Sequence, residues 1–219
     1  MTHVHEGEKG LTETRTWRKW VANFCVFIAI FLSMPAQASS QIEAANRLIN
    51  TMVRDVENYL LADSGDISKR TENITNILDT HFDIPGIARF SAGPYWRAAN
   101  EDERITYTQS MREALIGTIA RNFDQLVGLR FTIIDSQAKG NRMVLVRGTF
   151  LDKAGQRPPV SVGWRVVTSH PAPAKVLDVE IENISMLITQ KQENIAIIRK
   201  NGGRFSALIQ AMKQRQQSQ

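Results

Sequence analysis

Hydrophobic positions along this chain follow two rhythms, and the change from one to the other divides it. From Ile42 to Leu61 apolar residues fall at Ile42, Ala45, Ile49, Met52, Val53, Val56 and Leu60, the spacing of one face of a helix. Ser39 or Ser40 is placed to cap its start. Gly65 and Asp66 interrupt the pattern. A second one-sided segment then carries Ile67, Thr71, Ile74, Ile77, Leu78 and Phe82 behind a cap at Asp66 or Ser68. Residues 82–90 read as a short helical turn with Pro85 early in it, ending near Gly93-Pro94. A longer helix starts after Asn100, which caps it while Glu103 reaches back. Its apolar stripe is Ile105, Met111, Leu115, Ile119, Phe123 and Leu126.

After Gly128 the period falls to two. Runs at 130–135, 142–151, 160–168 and 175–182 are rich in Val, Ile and Phe, and turn-forming stretches of hairpin length join the first three. The third connection holds Pro171 and Pro173, which cannot continue a strand. Val160, Val162, Trp164 and Val166 share one face, as do Leu177, Val179 and Ile181. Asp178, Glu180 and Glu182 share the other, where Arg130, Arg142, Arg147 or Arg165 can pair with them. A helix through Ile195 and Ile198 stops at Asn201-Gly202-Gly203, and a last helix carries Phe205, Leu208, Ile209 and Met212. Helices, a meander and helices again predict an α+β domain: a four-stranded antiparallel sheet with helices packed on its apolar face.

The first residues have another character. Arg15, Arg18 and Lys19 precede an apolar run from Val21 to Leu32 and then Ala36-Gln37-Ala38, the order of a secretory signal peptide. The run falls short of the ~20 residues that span a bilayer, so no permanent membrane anchor is expected. The expected organisation is a cleaved leader at 1–38, a single domain at 39–214 and a frayed polar tail at 215–219. Cys25, the only cysteine, leaves with the leader, which excludes disulfides and thiol chemistry from the mature chain. Four basic and three acidic residues leave as well, so the formal charge of +5 becomes +4. No arginine-rich or aromatic-interleaved strip marks nucleic acid as a partner.

Reactive groups are few. His81 and His170 are the only histidines outside the leader, and neither has a nucleophile in a recognisable motif beside it. The acidic residues at 178, 180 and 182 lack the wrapping loop of an oxygen-ligated metal site. What stands out is apolar surface on facing elements. It fits a filled core, or an elongated cavity suited to acyl chains.

Residues 82–90, Phe-Asp-Ile-Pro-Gly-Ile-Ala-Arg-Phe, followed by Gly93-Pro94-Tyr95-Trp96-Arg97, resemble the signature of the MlaC-type periplasmic proteins, the toluene-tolerance auxiliary family. The segments 160–164 and 175–186, then Ile197-Ile198 and Asn201-Gly202-Gly203, are similar to that family's second half. Asn183 stands where the family has glycine, and asparagine tolerates left-handed angles better than most residues. The resemblance implies a phospholipid carrier without catalytic residues or another cofactor. It implies work in the periplasm between an outer-membrane lipoprotein complex and an inner-membrane ABC transporter, in support of outer-membrane lipid asymmetry. It also implies a hydrophobic pocket between sheet and helices. The dry faces assign its wall to Ile77, Phe82, Phe90, Trp96, Met111, Leu115 and Ile119 from the helices, and to Val144, Val146, Val162, Trp164 and Val179 from the sheet. Lys191, Arg199, Lys200 and Arg204 lie near the Gly-Gly stop, where they meet head groups or acidic partners or, as scattered surface bases usually are, are simply solvated. Two other readings stand beside this one. A periplasmic enzyme of a cone-shaped α+β fold would act on an apolar small molecule with a carboxylate such as Asp83 or Asp135 in its cavity, and an interaction module would have no cavity.

Overall fold

The computed structural model describes residues 35–169 and 171–217. The leader's basic cluster, its apolar run and Cys25 lie outside the described residues, as do His170, Ser218 and Gln219. The chain divides into two units, Met1–Ser39 and Ser40–Gln219, and the fold belongs to the second.

Helix α1 spans Pro35–Leu61. It starts earlier than a cap at Ser39 or Ser40 would place it, because proline lacks the N–H that a first turn leaves unbonded. Helix α2, Ile67–His81, is capped by Asp66, whose carboxylate accepts from the Ser68 and Lys69 amides. Helix α3, Ile84–Ser91, is capped by Asp83 through the Gly86 amide at 3.0 Å. A Cβ at Gly86 would lie 2.2 Å from the Asp83 carboxylate, so the glycine makes this cap possible. A 3₁₀ turn, Gly93–Trp96, leads to α4, Glu101–Arg121, which opens with the expected capping box of Asn100 and Glu103.

The expected apolar stripe holds in part: Met111 and Phe123 are buried and Leu115, Ile119 and Leu126 pack against the helical interior, but the inward face of α4 is broader and partly polar. Tyr107, Ser110, Met111, Ile116 and Ala120 face inward, while Ile105 is 59% exposed. The polar members of this face escaped an apolar count. Tyr107 is fully buried because Ser91 Oγ and Asn194 Nδ2 each lie 2.8 Å from its hydroxyl.

A short 3₁₀ turn, Phe123–Leu126, precedes the sheet. Its strands are β1 (Leu129–Ala138), β2 (Met143–Asp152), β3 (Val160–Val167), β4 (Lys175–Ile181) and β5 (Ile184–Ser185), antiparallel and in sequence order. The sheet thus has five strands where four were expected. Glu182 and Asn183 both adopt left-handed angles, φ 48° and 64°, and their tight turn folds Ile184–Ser185 back onto β4. Asp178 pins this hairpin: its carboxylate accepts from Ser185 Oγ at 2.5 Å and from the Leu187 amide at 2.9 Å. Asp178 is therefore buried, at 4% exposure, rather than part of a solvated acidic row. Glu180 does pair with Arg165, whereas Arg147 turns to Asp135 at 2.7 Å.

Two irregularities re-aim side chains. Between Ile133, which pairs with Gly148, and Asp135 the β1 register shifts and Ile134 is left unpaired in the register and 70% exposed; a Cβ at Gly148 would meet the Thr132 carbonyl at 2.4 Å. A second shift, at Arg165/Val166, places Val176 and Val179 on one side of β4. Leu177 packs against the helices instead, which breaks the expected alternation of Leu177 with Val179.

Helix α5, Met186–Lys200, and helix α6, Phe205–Gln217, close the chain. Helix α6 carries three residues of the expected frayed tail, and Gln216 Nε2 holds the Ser110 carbonyl at 3.0 Å. Two interiors result. In one, Ala45, Ile49 and Met52 of α1 cover Val144, Val146, Val166 and Val176 of the sheet. In the other, α2 to α6 pack around Leu78, Tyr107, Met111, Ile198 and Leu208. Each fully buried aliphatic side chain contributes roughly 1.5–3 kcal/mol to holding these layers together.

Candidate functional site

Helix α3 and the turn after it do not close against the sheet at one end. They leave an open cleft of about 1140 Å³ facing the β1–β2 hairpin tip and the ends of β3 and β4, larger than the ~300–1,000 Å³ usual for small-molecule sites. Phe90, Pro94, Trp96, Met143, Val167 and Leu177 supply its apolar wall. Arg89, Arg97, Lys139, Arg142 and Lys191 stand around it, and Asp83 is the one carboxylate of the lining.

Local structure explains this placement. Helix α3 turns Ile87 and Ala88 into the core, which leaves Arg89 and Phe90 outward, Phe90 at 40% exposure. Lys191 Nζ of α5 stands 4.7 Å over the Phe90 ring. Arg104 of α4 lies 5.6 Å from the Trp96 ring and donates to the Trp96 and Arg97 carbonyls at 3.0 and 3.2 Å, which fixes the turn. Across the cleft Gln41 of α1 donates to the Asn141 carbonyl at 2.6 Å and clamps the hairpin tip. Lys139 Nζ donates to Gln137 at 3.0 Å. Among the described residues Arg89, Arg97, Arg142 and Lys191 enter no ion pair.

Of the twelve residues expected in a pocket wall, Phe90 and Trp96 line the cleft. Ile77, Val144 and Val146 pack in the interior under α1, with half-buried Trp164 and Val179 against them. Met111 belongs to the helical interior, where Leu115 and Ile119 pack on it, Phe82 touches both interiors, and Val162 is buried. Core and wall demand the same side chains, so periodicity selects apolar faces without saying which of them stays open. The cations escaped that reading, Lys191 apart. Their signal is short-range: Arg89-Phe90, Trp96-Arg97 and Arg142-Met143 each set a charge beside an apolar residue.

Catalytic groups are poorly placed. Asp83 lines the cleft, but its carboxylate is engaged as the α3 cap. Asp135 is outside the lining, and the Arg147 guanidinium beside it holds its carboxyl below the usual range. His81 is buried against Asp55 of α1 at 2.9 Å. Among the described residues no group of three or more His, Cys, Asp or Glu is arranged to hold a metal ion. No helix among them is long and apolar enough to cross a membrane.

The family model described as MlaC protein matches residues 46–214. The chain belongs to the MlaC family. Its fold is also similar to that of a solved structure, a phospholipid-binding protein from Ralstonia solanacearum in complex with a phospholipid. The two share 20% sequence identity and a TM-score of 0.68 over 80% of this chain and 96% of that one. No curated protein matches the chain. Within the MlaC signature the structure gives physical reasons for particular residues: Asp83 and Gly86 form one cap, and Asp178 and Ser185 tie β4 to β5 and α5.

Proposed function

We propose that this MlaC-family chain is a periplasmic phospholipid carrier. It takes a phospholipid from one membrane complex, an outer-membrane lipoprotein assembly or an inner-membrane ABC transporter, and delivers it to the other. The observation that carries the reading is the open cleft, whose lining combines an apolar wall of Phe90, Pro94, Trp96, Met143, Val167 and Leu177 with five cations. An acyl chain gains roughly 0.8 kcal/mol for each CH₂ it removes from water, so such a wall holds lipid without a charged contact. Release then falls to a partner. Membership of the family and the phospholipid complex of the Ralstonia solanacearum protein support the same reading, as does a leader that would free the carrier at Ala38.

Native mass spectrometry of the mature protein is expected to show one co-purifying phospholipid. A uniformly lipid-free protein that also takes none from vesicles overturns the proposal. N-terminal sequencing of the periplasmic fraction is expected to begin at Ser39, and recovery of the full chain in the cytoplasm contradicts the localisation.

A further inference from the structure

Resting on the carrier reading, we infer that the cleft selects its lipid by charge: Arg89, Arg97, Lys139, Arg142 and Lys191 favour an anionic phospholipid head group over a zwitterionic one. The lining sets five cations against one carboxylate, and the Asp83 carboxylate is hydrogen-bonded to the Gly86 amide. Arg89, Arg97 and Arg142 are exposed and enter no ion pair among the described residues. Outside the lining Arg70 pairs with Asp63, Arg112 with Asp79, Arg147 with Asp135, Arg157 with Asp152 and Arg165 with Glu180, while Arg54, Arg130, Arg199 and Arg204 enter no ion pair among the described residues. What sets the cleft apart is that five cations gather along one apolar wall, where the single carboxylate is already engaged as a helix cap.

Every phospholipid brings a phosphodiester, which these donors attract. A zwitterionic head group also brings an ammonium, which the same donors repel. A head group with an uncharged alcohol on the phosphate escapes that penalty. The cations are interspersed with the apolar wall, Arg89 next to Phe90, Arg97 next to Trp96 and Arg142 next to Met143 in the chain, all within one lining. A lipid whose chains lie on the wall therefore presents its phosphate to the cations. Preference arises at the cations and binding arises at the wall.

The test uses delipidated mature protein and vesicles of equimolar phosphatidylglycerol and phosphatidylcholine with identical acyl chains, so that membrane docking is common to both lipids. Bound lipid is extracted from the re-isolated protein and quantified by mass spectrometry. The bound ratio is expected to favour phosphatidylglycerol by roughly three- to tenfold, the scale of exposed charge contacts, and to fall toward one as salt screens them. In the double variant Arg97→Gln/Arg142→Gln the ratio moves toward one while lipid still binds. In Arg54→Gln/Arg130→Gln, exposed residues outside the cleft lining, it stays high. A wild-type ratio near one, a ratio that salt does not change, or a cleft variant with full preference overturns the inference while leaving the carrier reading intact. Uptake of neither lipid overturns both. A calorimetric arm with inorganic phosphate alone is expected to show only weak binding, and tight binding there would assign the cations to free phosphate instead.

Discussion

Helix α3 belongs to two regions at once. Its inward side carries Ala88 and Ser91 into the helical interior, and its outward side presents Arg89 and Phe90 to the cleft. In the interior every polar atom on this contact has a partner. Ser91 Oγ donates to the Ala88 carbonyl at 3.1 Å and lies 2.8 Å from the Tyr107 hydroxyl. Asn194 donates to that hydroxyl at 2.8 Å and to the Ser91 carbonyl at 3.2 Å. In the cleft Arg89, Arg97 and Arg142 are charged and exposed and enter no ion pair among the described residues. A low-dielectric interior does not tolerate an unpaired polar group, whereas an open cleft beside water does. Adjacent residues of one helix thus separate what the protein needs for itself from what it offers to a ligand.

The widest gap between the two regions is expected in stability. Ile198→Ala removes a side chain with no exposed surface from the helical interior and should cost about 2–5 kcal/mol in urea unfolding, lost transfer plus cavity. Phe90→Ala, at 40% exposure, should cost under about 1 kcal/mol and lower lipid uptake instead. If both variants lose stability equally, the cleft is ordinary core and the comparison breaks.

Tyr107 offers the next test. Burial pushes its hydroxyl up to about 12, while the bonds from Ser91 and Asn194 pull the other way. A folded-state value raised above the unfolded one leaves its contribution complete below pH ~10 and removes it as pH rises through 12. The wild type should therefore lose roughly 2–3 kcal/mol between pH ~10 and 12 that Tyr107→Phe does not lose. At neutral pH Tyr107→Phe leaves Asn194 and Ser91 short of a partner and should cost about 1–3 kcal/mol, with lipid occupancy unchanged. A variant as stable as the wild type at both pH values would show that the knot is wet.

Much of the fold was legible because its signals are local. Asp66 and Asn100 cap the helices as their spacing predicts, and the strands of β1 to β4 fall within a few residues of their apolar runs. The departures come from contacts distant in sequence. Ile184–Ser185 becomes a strand because Asp178 holds Ser185 and two residues accept left-handed angles. Tyr107 is buried because residues 16 and 87 positions away satisfy its hydroxyl. The candidate site was legible only at Phe90, Trp96 and Lys191. Which apolar face remains open depends on where α3 and the β1–β2 hairpin tip stop short of each other, and no periodicity encodes that gap.

The smallest stability effect is expected at the cleft cations, where it sharpens the comparison most. Arg142 is exposed at the hairpin tip. Its backbone carbonyl accepts from the Thr168 amide at 2.9 Å, a bond that a side-chain change leaves intact. Arg142→Gln removes a charge that no carboxylate neutralises and that faces other cations across the cleft, so stability should change by less than about 0.5 kcal/mol, in either direction. Arg147→Gln, on the opposite side of the argument, breaks the bidentate pair with Asp135 at 2.9 and 2.7 Å. Solvent screens that pair, so its loss is small but in one direction, towards lower stability. The ordering is the informative result: matched urea curves should place Arg142→Gln on the wild type and Arg147→Gln below it. If Arg142→Gln is the more damaging change, its guanidinium is held by the protein rather than left for a ligand, and the cleft lining joins the sealed interior.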